Sequence, residues 1–242
     1  MTRFFIEQDI TGDTITLTGE NARHAKVLRL KAGEQVCVSN GQGREWVCSV
    51  EGCQDNAVLL RVLEACASGS EPRVSVSVYM AFPKADKLEH VIQKATELGA
   101  AEIVAFPSAR CVSRQDEKSL KKKLERWQKI AASAAEQSGR GRIPQVTTAA
   151  SFSEALERAA QADRALLFYE HEQAVTLSMA LNKGPYTSVS LMTGPEGGLE
   201  TAEVEKARQA GLTVCTLGKR ILRCETAPLC ALSAVMYDAG EF

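Results

Sequence analysis

Two short segments in the last quarter of the sequence carry the residue types best suited to chemistry. The first is Gly194-Pro195-Glu196-Gly197-Gly198, which follows an apolar run ending at Met192. Glycine has no Cβ and tolerates positive φ, so a loop of this composition lets the main chain contact a ligand directly. Taken alone, a glycine-rich turn that binds nothing is the alternative interpretation.

The second segment, 217–227, reads Leu-Gly-Lys-Arg-Ile-Leu-Arg-Cys-Glu-Thr-Ala and follows the apolar stretch 212–217. A dinucleotide-binding loop would have the pattern G-x-G-x-x-G, and the next strand would end in Asp or Glu to bind the ribose. Here the glycine loop has a different pattern, and the stretch 212–217 ends without an acidic residue. A nicotinamide-dependent oxidoreductase is therefore disfavoured.

The stretches around these segments alternate between strand and helix patterns. Strands are predicted at 74–81, 101–106, 165–169, 187–192 and 212–217. Helices are predicted at 88–98, 118–138, 152–161, 201–210 and 228–239. Such alternation predicts an α/β domain with a parallel sheet and helices on its faces.

The first part of the chain has a different pattern. Short β-type stretches occur at 14–17, 35–39, 45–50 and 57–63, and only 21–30 has a helical pattern. Closely spaced short strands predict a small β-barrel. The polar stretch 67–73 has the composition of a linker, so we expect one domain over residues 1–70 and a second over 71–242.

Composition and charge narrow the class of protein. The 242 residues are 45% hydrophobic and 24% charged, with a net charge of −1, which is ordinary for a globular protein and argues against nucleic-acid binding by the whole surface. No apolar run has the length of a membrane span or a signal peptide, so we expect a cytoplasmic protein without a membrane partner. Basic residues cluster locally at Arg23, His24, Lys26, Arg29 and Lys31, and at Lys118, Lys121, Lys122, Lys123, Arg126, Lys129, Arg140 and Arg142.

The eight cysteines and three histidines do not form a metal-ligand pattern. No two cysteines have C-x-x-C spacing, and no histidine lies near them in a ligand arrangement. We therefore expect reduced cysteines that pack as small apolar residues, and no metal.

The two C-terminal segments resemble those of the SPOUT methyltransferases, which have a C-terminal trefoil knot. The resemblance is closest to the ribosomal RNA small-subunit methyltransferase E family. Further segments at 24–29, 87–99 and 127–140 are similar to the N-terminal, first and central helical segments of that family. The family often has Pro where Lys219 stands and Thr where Cys224 stands, and we interpret both departures as local variation.

This resemblance implies the fold, cofactor and assembly. We expect a PUA-like N-terminal β-barrel, a C-terminal SPOUT α/β-knot domain, S-adenosyl-L-methionine bound by the knot, and a homodimer. The residues expected around the cofactor are Met192, Thr193, Gly194, Pro195, Glu196, Gly197, Gly198, Leu217, Gly218, Ile221, Leu222, Arg223, Thr226 and Ala227.

The resemblance also implies the reaction, methylation of N3 of a specific uridine in 16S rRNA of the small ribosomal subunit. We expect Arg223 to hold the uracil anion and Glu225 to accept the proton or orient that arginine. The alternative for Glu225 is a structural carboxylate at a helix N-terminus just before Pro228.

RNA contacts are expected from both parts of the chain. The residues predicted to line the base pocket, with polar helix surface as the alternative, are Gln93, Glu97, Glu136, Gln137 and Arg140. The residues predicted to contact phosphates are Arg23, His24, Arg29, Lys84, Lys87, Arg110 and Arg142. Two other functions stay open: a methyltransferase of this fold acting on another RNA base or a ribose 2′-hydroxyl, and a non-catalytic ribosome-binding module.

Overall fold

The computed structural model describes residues 1–7, 10–54, 56–111 and 117–242, and it divides the chain into two compact units. The N-terminal unit comprises Met1–Glu71 together with Ala135–Ile143. The C-terminal unit comprises Pro72–Ala134 and Pro144–Phe242.

The N-terminal unit is built on a curled five-stranded sheet. Its elements are β1 (Thr2–Phe5), β2 (Thr14–Thr18), α1 (Gly19–Val27), β3 (Gln35–Ser39), β4 (Arg44–Gln54) and β5 (Ala57–Ala67). The strand order is β1-β3-β4-β5-β2, with only the β1–β3 pair parallel. Within the described strands β1 and β2 remain edges, so the sheet is an open half-barrel where the sequence predicted a small barrel.

Alternating side chains explain why this sheet has one apolar face. In β2 the residues Ile15 and Leu17 are buried, whereas the threonines between and beside them are exposed. Successive side chains of a strand point to opposite faces, so the two apolar residues join Phe4, Trp46 and Leu60 in one core. The strand β1 contributes Phe4 to this core and was not predicted from the sequence.

Segment 135–143 is held in the N-terminal unit by a buried ion pair and by hydrogen bonds such as that from Oγ of Ser39 to the carbonyl of Gly141, at 2.9 Å. Arg140 is 4% exposed, and its Nη2 donates to Oε2 of Glu71 at 2.7 Å. The other oxygen of Glu71 accepts from the main-chain N–H groups of Gly141 at 2.9 Å and Arg142 at 3.0 Å. These hydrogen bonds to one carboxylate hold the segment in place. The geometry therefore favours a structural role for Arg140 over the predicted base contact.

The C-terminal unit is an α/β domain with an all-parallel sheet, as predicted. Its strands are β6 (Ser75–Ala81), β7 (Glu102–Phe106), β8 (Gln145–Thr148), β9 (Arg164–Phe168), β10 (Ser188–Thr193) and β11 (Thr213–Cys215). The helices assigned to the rest of the chain are α2 (Lys87–Glu97), α3 (Glu117–Ser138), α4 (Phe152–Ala159), α5 (Leu177–Leu181), α6 (Thr201–Gln209) and α7 (Thr226–Asp238).

The strand order of this sheet places the chemically interesting loops side by side. The order is β11-β9-β10-β6-β7-β8, so β9 lies between β10 and β11. All pairs are parallel, and the carboxyl ends of the three strands therefore meet at one edge. One apolar core lies on a single face of this sheet, where Phe106, Leu167 and Met192 from the strands pack with Leu199 and Val204.

Two further findings concern the part of the chain that is described. None of its helices combines the length and apolar character needed to cross a membrane. It also contains no group of three or more His, Cys, Asp or Glu side chains arranged to hold a metal ion, and the eight cysteines are free thiols.

Candidate functional site

A cavity of about 340 Å³ lies at the carboxyl ends of β9, β10 and β11. It is lined by three separate segments, each of which follows one of these strands. The lining residues are Phe168, Tyr169, Glu170, His171, Thr193, Gly194, Glu196, Gly197, Gly198, Thr216, Leu217, Gly218, Lys219, Arg220, Ile221, Leu222, Cys224 and Ala227. The volume is within the range of small-molecule sites, which begin at about 300 Å³.

The two segments selected from the sequence therefore share one cavity. The lining residues among those predicted for the cofactor are Thr193, Gly194, Glu196, Gly197, Gly198, Leu217, Gly218, Ile221, Leu222 and Ala227. The predicted residues outside the lining are Met192, Pro195, Arg223 and Thr226, of which Met192 is fully buried in the core. The segment 168–171 was missed, because nothing in its residue pattern marks it as a ligand-binding loop.

The glycine loop folds tightly on itself. Gly198 has φ of 68°, and its N–H donates to the carbonyl of Pro195 at 2.9 Å. A Cβ on Gly194 would lie 3.0 Å from Cγ of Leu199 and 3.2 Å from the carbonyl carbon of Gly198. Side chains at these positions would push the loop open, so the glycines are required by the turn itself.

Lys87, the first residue of α2, contacts both the glycine loop and the segment 217–227. Its ammonium lies 3.1 Å from Oε1 of Glu196 in the glycine loop and 3.2 Å from Oε2 of Glu225 at the start of α7. It also donates to Sγ of Cys224 at 3.8 Å. We call Lys87, Glu196 and Glu225 the lysine clamp. Lys87 was predicted to contact phosphates, but its charge is already used within this site.

The ionisation of the clamp follows from these contacts. Hydrogen bonds to Glu196 and Glu225 raise the pKa of Lys87. Burial acts to raise the pKa of Glu196, but hydrogen bonds from its own N–H, from the N–H of Lys84 and from Lys87 lower it overall. The pKa of Glu225 is lowered by a hydrogen bond from its own N–H, despite partial burial, and further by Cys224 and Lys87. The clamp is therefore fully charged at neutral pH.

Glu225 consequently favours a structural interpretation over the predicted proton acceptor. A carboxylate with a lowered pKa is a weaker base, and the ammonium of Lys87 is one of the causes of the lowered pKa of Glu225. Glu225 is the N-cap residue of α7, yet its side chain makes no capping hydrogen bond. It binds Lys87 and accepts from Sγ of Cys224 at 3.2 Å, and burial together with Glu225 raises the pKa of this thiol to about 12.

Arg110, which is distant in sequence, also contacts the glycine loop. Its Nη1 donates to the carbonyl of Gly197 at 2.9 Å, and its Nε lies 3.9 Å from Oε1 of Glu200. The adjacent Ala109 N–H donates to Oε1 of Glu203 at 2.8 Å, while Oε2 of Glu203 accepts from the N–H of Glu200 at 2.9 Å. The segment around Arg110 thus braces the loop, in addition to any phosphate contact.

Arg223, the predicted anion-holding residue, is exposed beside the cavity. Its carbonyl accepts from the N–H groups of Thr226 and Ala227, both at 2.9 Å, which fixes its main chain at the start of α7. Among the described residues, its guanidinium has no ion pair or side-chain hydrogen bond. The neighbouring Leu222 and Cys224 both line the cavity. Arg223 is therefore placed at the rim with a charge that is available to a substrate.

The other residues predicted to contact RNA divide into two groups. Those with exposed side chains are Arg23, Arg29, Lys84, Gln93, Gln137 and Arg142. Those already engaged with other side chains are His24 with Glu136, at 2.9 Å between Nδ1 and Oε1, and Glu97, which forms an ion pair with Lys94 at 2.8 Å. For the exposed group RNA binding stays a prediction, whereas the engaged residues would have to exchange partners to bind RNA.

Two known families match successive parts of the chain. Residues 70–236 match the RNA methyltransferase domain family, which is more than half of the chain. Residues 17–63 match the RNA methyltransferase PUA domain family. The order of the two matches agrees with the predicted order of a PUA-like domain followed by a methyltransferase domain.

Whole-chain relatives lead to the same family. Ribosomal RNA small subunit methyltransferase E of Bacillus subtilis (strain 168) is 39% identical over 250 residues, covering 98% of this chain and 97% of its own. The crystal structure of a Ribosomal RNA small subunit methyltransferase E from Neisseria gonorrhoeae, bound to S-adenosyl methionine, is 31% identical with a TM-score of 0.89 and covers 98% of this chain and 97% of its own. A methyltransferase from Legionella pneumophila in complex with S-adenosyl methionine is 28% identical with a TM-score of 0.86, covering 98% of each chain. The chain therefore belongs to the ribosomal RNA small subunit methyltransferase E family.

Proposed function

We propose that this protein methylates N3 of a uridine in 16S rRNA, using S-adenosylmethionine, and that residues 1–70 and 71–242 serve RNA binding and methyl transfer respectively. The observation that carries the proposal is the single cavity shared by the glycine loop and the segment 217–227 in a chain of this family. A different base or a ribose 2′-hydroxyl remains the alternative target, because the cavity specifies the cofactor better than the methylated atom.

The residues of the cavity suit the proposed cofactor. The volume of about 340 Å³ accommodates a small molecule, and the lining glycines bring the main chain to the cavity surface with no side chain in between. Gly218 has φ of 104° and nothing within 4 Å of the position that a Cβ would occupy, so no side chain fills that part of the site, while its N–H and C=O both bond the hydroxyl of Thr216. Bound here, S-adenosylmethionine supplies a methyl group activated by a sulfonium.

The protein must make a uracil N3 reactive and bring it to that methyl group. N3 carries a proton at neutral pH and lies on the Watson–Crick edge, so the base has to be unpaired or extruded. Holding the reactants in line contributes about 7–11 kcal/mol in well-oriented reactions, so positioning can exceed the effect of a dedicated base. The guanidinium of Arg223 at the rim would stabilise the anion that develops on the uracil oxygens.

The proposed function is tested with purified protein, S-adenosylmethionine and rRNA from cells that lack the gene. We expect methyl transfer to one uridine, with mass-spectrometric mapping placing the group on N3. A methyl group on another base or on a 2′-hydroxyl would move the target to the alternative. Absence of S-adenosylmethionine binding by calorimetry at millimolar ligand would instead indicate a non-catalytic ribosome-binding module.

Arg23 and Arg29 provide a test of RNA binding by the N-terminal unit. Both are exposed, and we expect the double replacement by alanine to weaken RNA binding and to reduce the slope of log affinity against log salt by about 1 per lost phosphate contact. The measurement is fluorescence anisotropy with a labelled rRNA fragment over a range of salt concentrations. Arg61→Ala, an exposed arginine of the same unit paired with Glu51, is the control and should bind normally. An unchanged slope in the double variant would remove these residues from the RNA interface.

Lys87→Met is expected to weaken cofactor binding by about tenfold or more, because Glu196 and Glu225 would repel each other once the ammonium is lost. Lys87→Arg should retain most of the affinity. Lys94→Met, which removes an ammonium from the same helix outside the cavity, is the matched control. Equal affinity in Lys87→Met and wild type, measured by calorimetry, would show that the clamp does not shape the site.

The lysine clamp also predicts how cofactor binding depends on pH. The pKa values of Glu196 and Glu225 are lowered from their ordinary value of 4.5, so both carboxylates stay charged until the pH falls below that value. A group with a depressed folded-state pKa stabilises the fold above its unfolded-state pKa and loses this contribution as the pH falls through the folded-state value. Cofactor binding through the clamp should accordingly persist from neutral pH to about pH 4.5 and decline below it.

We further propose that the protein acts in the cytoplasm as a homodimer. The support within the C-terminal unit is the set of large apolar side chains that it exposes, at 83% for Ile221, 77% for Tyr237 and 73% for Phe242. Large exposed apolar groups are what a second copy would cover. Sedimentation velocity at micromolar concentration distinguishes one copy from two.

A further inference from the structure

A carboxylate that was not predicted from the sequence lies in the same cavity. Glu170 follows β9 by two residues, and β9 is the strand between β10 and β11. The glycine loop follows β10, and the segment 217–227 follows β11 shortly after its end. Glu170 therefore reaches the cavity between the two predicted segments, from a strand that is adjacent to theirs in space but not in sequence.

The glycine loop is shaped to accept this carboxylate. A Cβ on Gly198 would overlap Oε1 of Glu170 and would lie 3.1 Å from its Cδ. The overlap involves the end of a side chain, but Gly198 also has φ of 68°, where other residues are strained. The absence of a side chain at Gly198 thus lets Glu170 lie directly against the main chain of the loop.

The charge of Glu170 is not used by the protein itself. Within the described part of the chain its carboxylate has no ion pair and no hydrogen-bond donor, and the residue is exposed. Glu196, the other acidic residue of the cavity lining, is bound by Lys87. Beside Glu170, the rings of Tyr169 and His171 stack edge-to-face with centroids 5.2 Å apart, which frames this end of the cavity.

We propose that Glu170 binds the ribose of the cofactor by accepting hydrogen bonds from its 2′- and 3′-hydroxyls, an inference that rests on the proposed function. Open α/β folds that bind dinucleotides use an acidic residue at the carboxyl end of a strand near a glycine loop for this purpose. That acid is missing after β11, where the sequence pattern would place it, but it is present after the neighbouring β9. An ionised carboxylate has two acceptor oxygens and no donor, and a ribose diol offers two donors.

The first experiment is calorimetry on Glu170→Gln and Glu170→Ala with three ligands that share the ribose. These are S-adenosylmethionine, S-adenosylhomocysteine, which lacks the positive sulfur, and 5′-methylthioadenosine, which lacks the amino-acid part. Hydrogen bonds to a charged acceptor predict a loss of about 10- to 100-fold in affinity for Glu170→Ala, equal for all three ligands. A loss confined to S-adenosylmethionine would place the carboxylate at the sulfonium, and an unchanged affinity for 5′-methylthioadenosine would place it at the amino group. Either result overturns the proposal.

A second experiment needs no variant and so does not depend on how Glu170→Ala folds. Wild-type protein is titrated with S-adenosylhomocysteine and with an analogue of it that lacks the 2′- and 3′-hydroxyls. We expect the analogue to bind about 10- to 100-fold more weakly to wild type, and equally weakly to Glu170→Ala when that variant is folded. Equal binding of the two compounds by wild type contradicts the proposal.

The control variant is Glu157→Gln, which makes the same change of charge at an exposed position of α4 outside the cavity. It should bind all three ligands as wild type does.

The binding results distinguish an error about Glu170 from an error about the proposed function. If wild type binds none of the ligands, the proposed function is wrong; if wild type binds them and Glu170→Ala binds them equally well, only the role of Glu170 is wrong.

Discussion

Replacing Arg223 by alanine is expected to reduce the rate of methyl transfer about 100- to 1,000-fold while cofactor affinity is retained. A charge positioned where negative charge develops in the transition state is typically worth this much when it is removed. Arg223 is exposed at the rim of the cavity, is held by main-chain bonds at the start of α7, and lies outside the cavity lining. Single-turnover methylation of rRNA measures the rate, and calorimetry with S-adenosylmethionine measures the affinity.

Two comparisons make this result specific. Arg73→Ala removes an exposed guanidinium of the same unit that pairs with Glu241, and it should leave the rate unchanged. Arg223→Lys keeps the charge but loses the planar fork of donors, so an intermediate rate is expected. A wild-type rate in Arg223→Ala would exclude this arginine from the mechanism.

Replacing Arg140 by leucine is expected to destabilise the N-terminal unit by about 3–5 kcal/mol, because it leaves a buried charge without its partner. Arg140 and Glu71 pair at 2.7 Å, and their side chains are only 5% and 15% exposed. The main-chain N–H groups of Gly141 and Arg142 would still donate to Glu71, but neither carries a positive charge.

The chain offers a matched control and a local probe for this measurement. Arg142→Leu removes an exposed arginine two residues away and should cost less than about 0.5 kcal/mol. Trp46 is buried in the N-terminal unit and Trp127 in the C-terminal unit, so Trp127→Phe leaves one fluorophore that reports on the N-terminal unit. Equal urea midpoints for Arg140→Leu and its parent would show that this ion pair does not hold the unit together.

The regular elements could be predicted because their residue patterns are local. The period-two alternation of β2 and the apolar runs of β6, β9 and β10 each correspond to one face or both faces of a sheet. The five helices predicted between residues 88 and 239 are all present, with ends shifted by at most two residues.

The missed elements are the short ones. The strands β1 and β8 have four residues each and α5 has five, too few to establish a period. They form because of neighbours that are distant in sequence: β1 pairs with β3, and β8 pairs with β7. Tertiary contacts of this kind leave no signature in a short window of sequence.

The residues of the site also divide into those that local sequence motifs predict and those that depend on tertiary structure. The two glycine-containing segments were predicted to share a pocket, and they do so because each carries a recognisable motif. The contribution of Glu170 depends on the strand order β11-β9-β10, and that of Lys87 on the packing of α2 beside both loops, neither of which is encoded near those residues. In the sequence, the missing acid after the stretch 212–217 argues only against a dinucleotide site, whereas the candidate acid Glu170 follows the neighbouring strand β9.

The order in which the cavity walls are synthesised has a consequence for the timing of activity. A growing chain that has reached Cys215 already contains every strand of the two described sheets, so both cores can begin to form on the ribosome. It still lacks Thr216 to Ala227, the wall that faces the glycine loop, and Glu225, which completes the grip of Lys87. The site is therefore completed only with the last part of the chain, which also supplies α7 and its fully buried Leu232 and Val235.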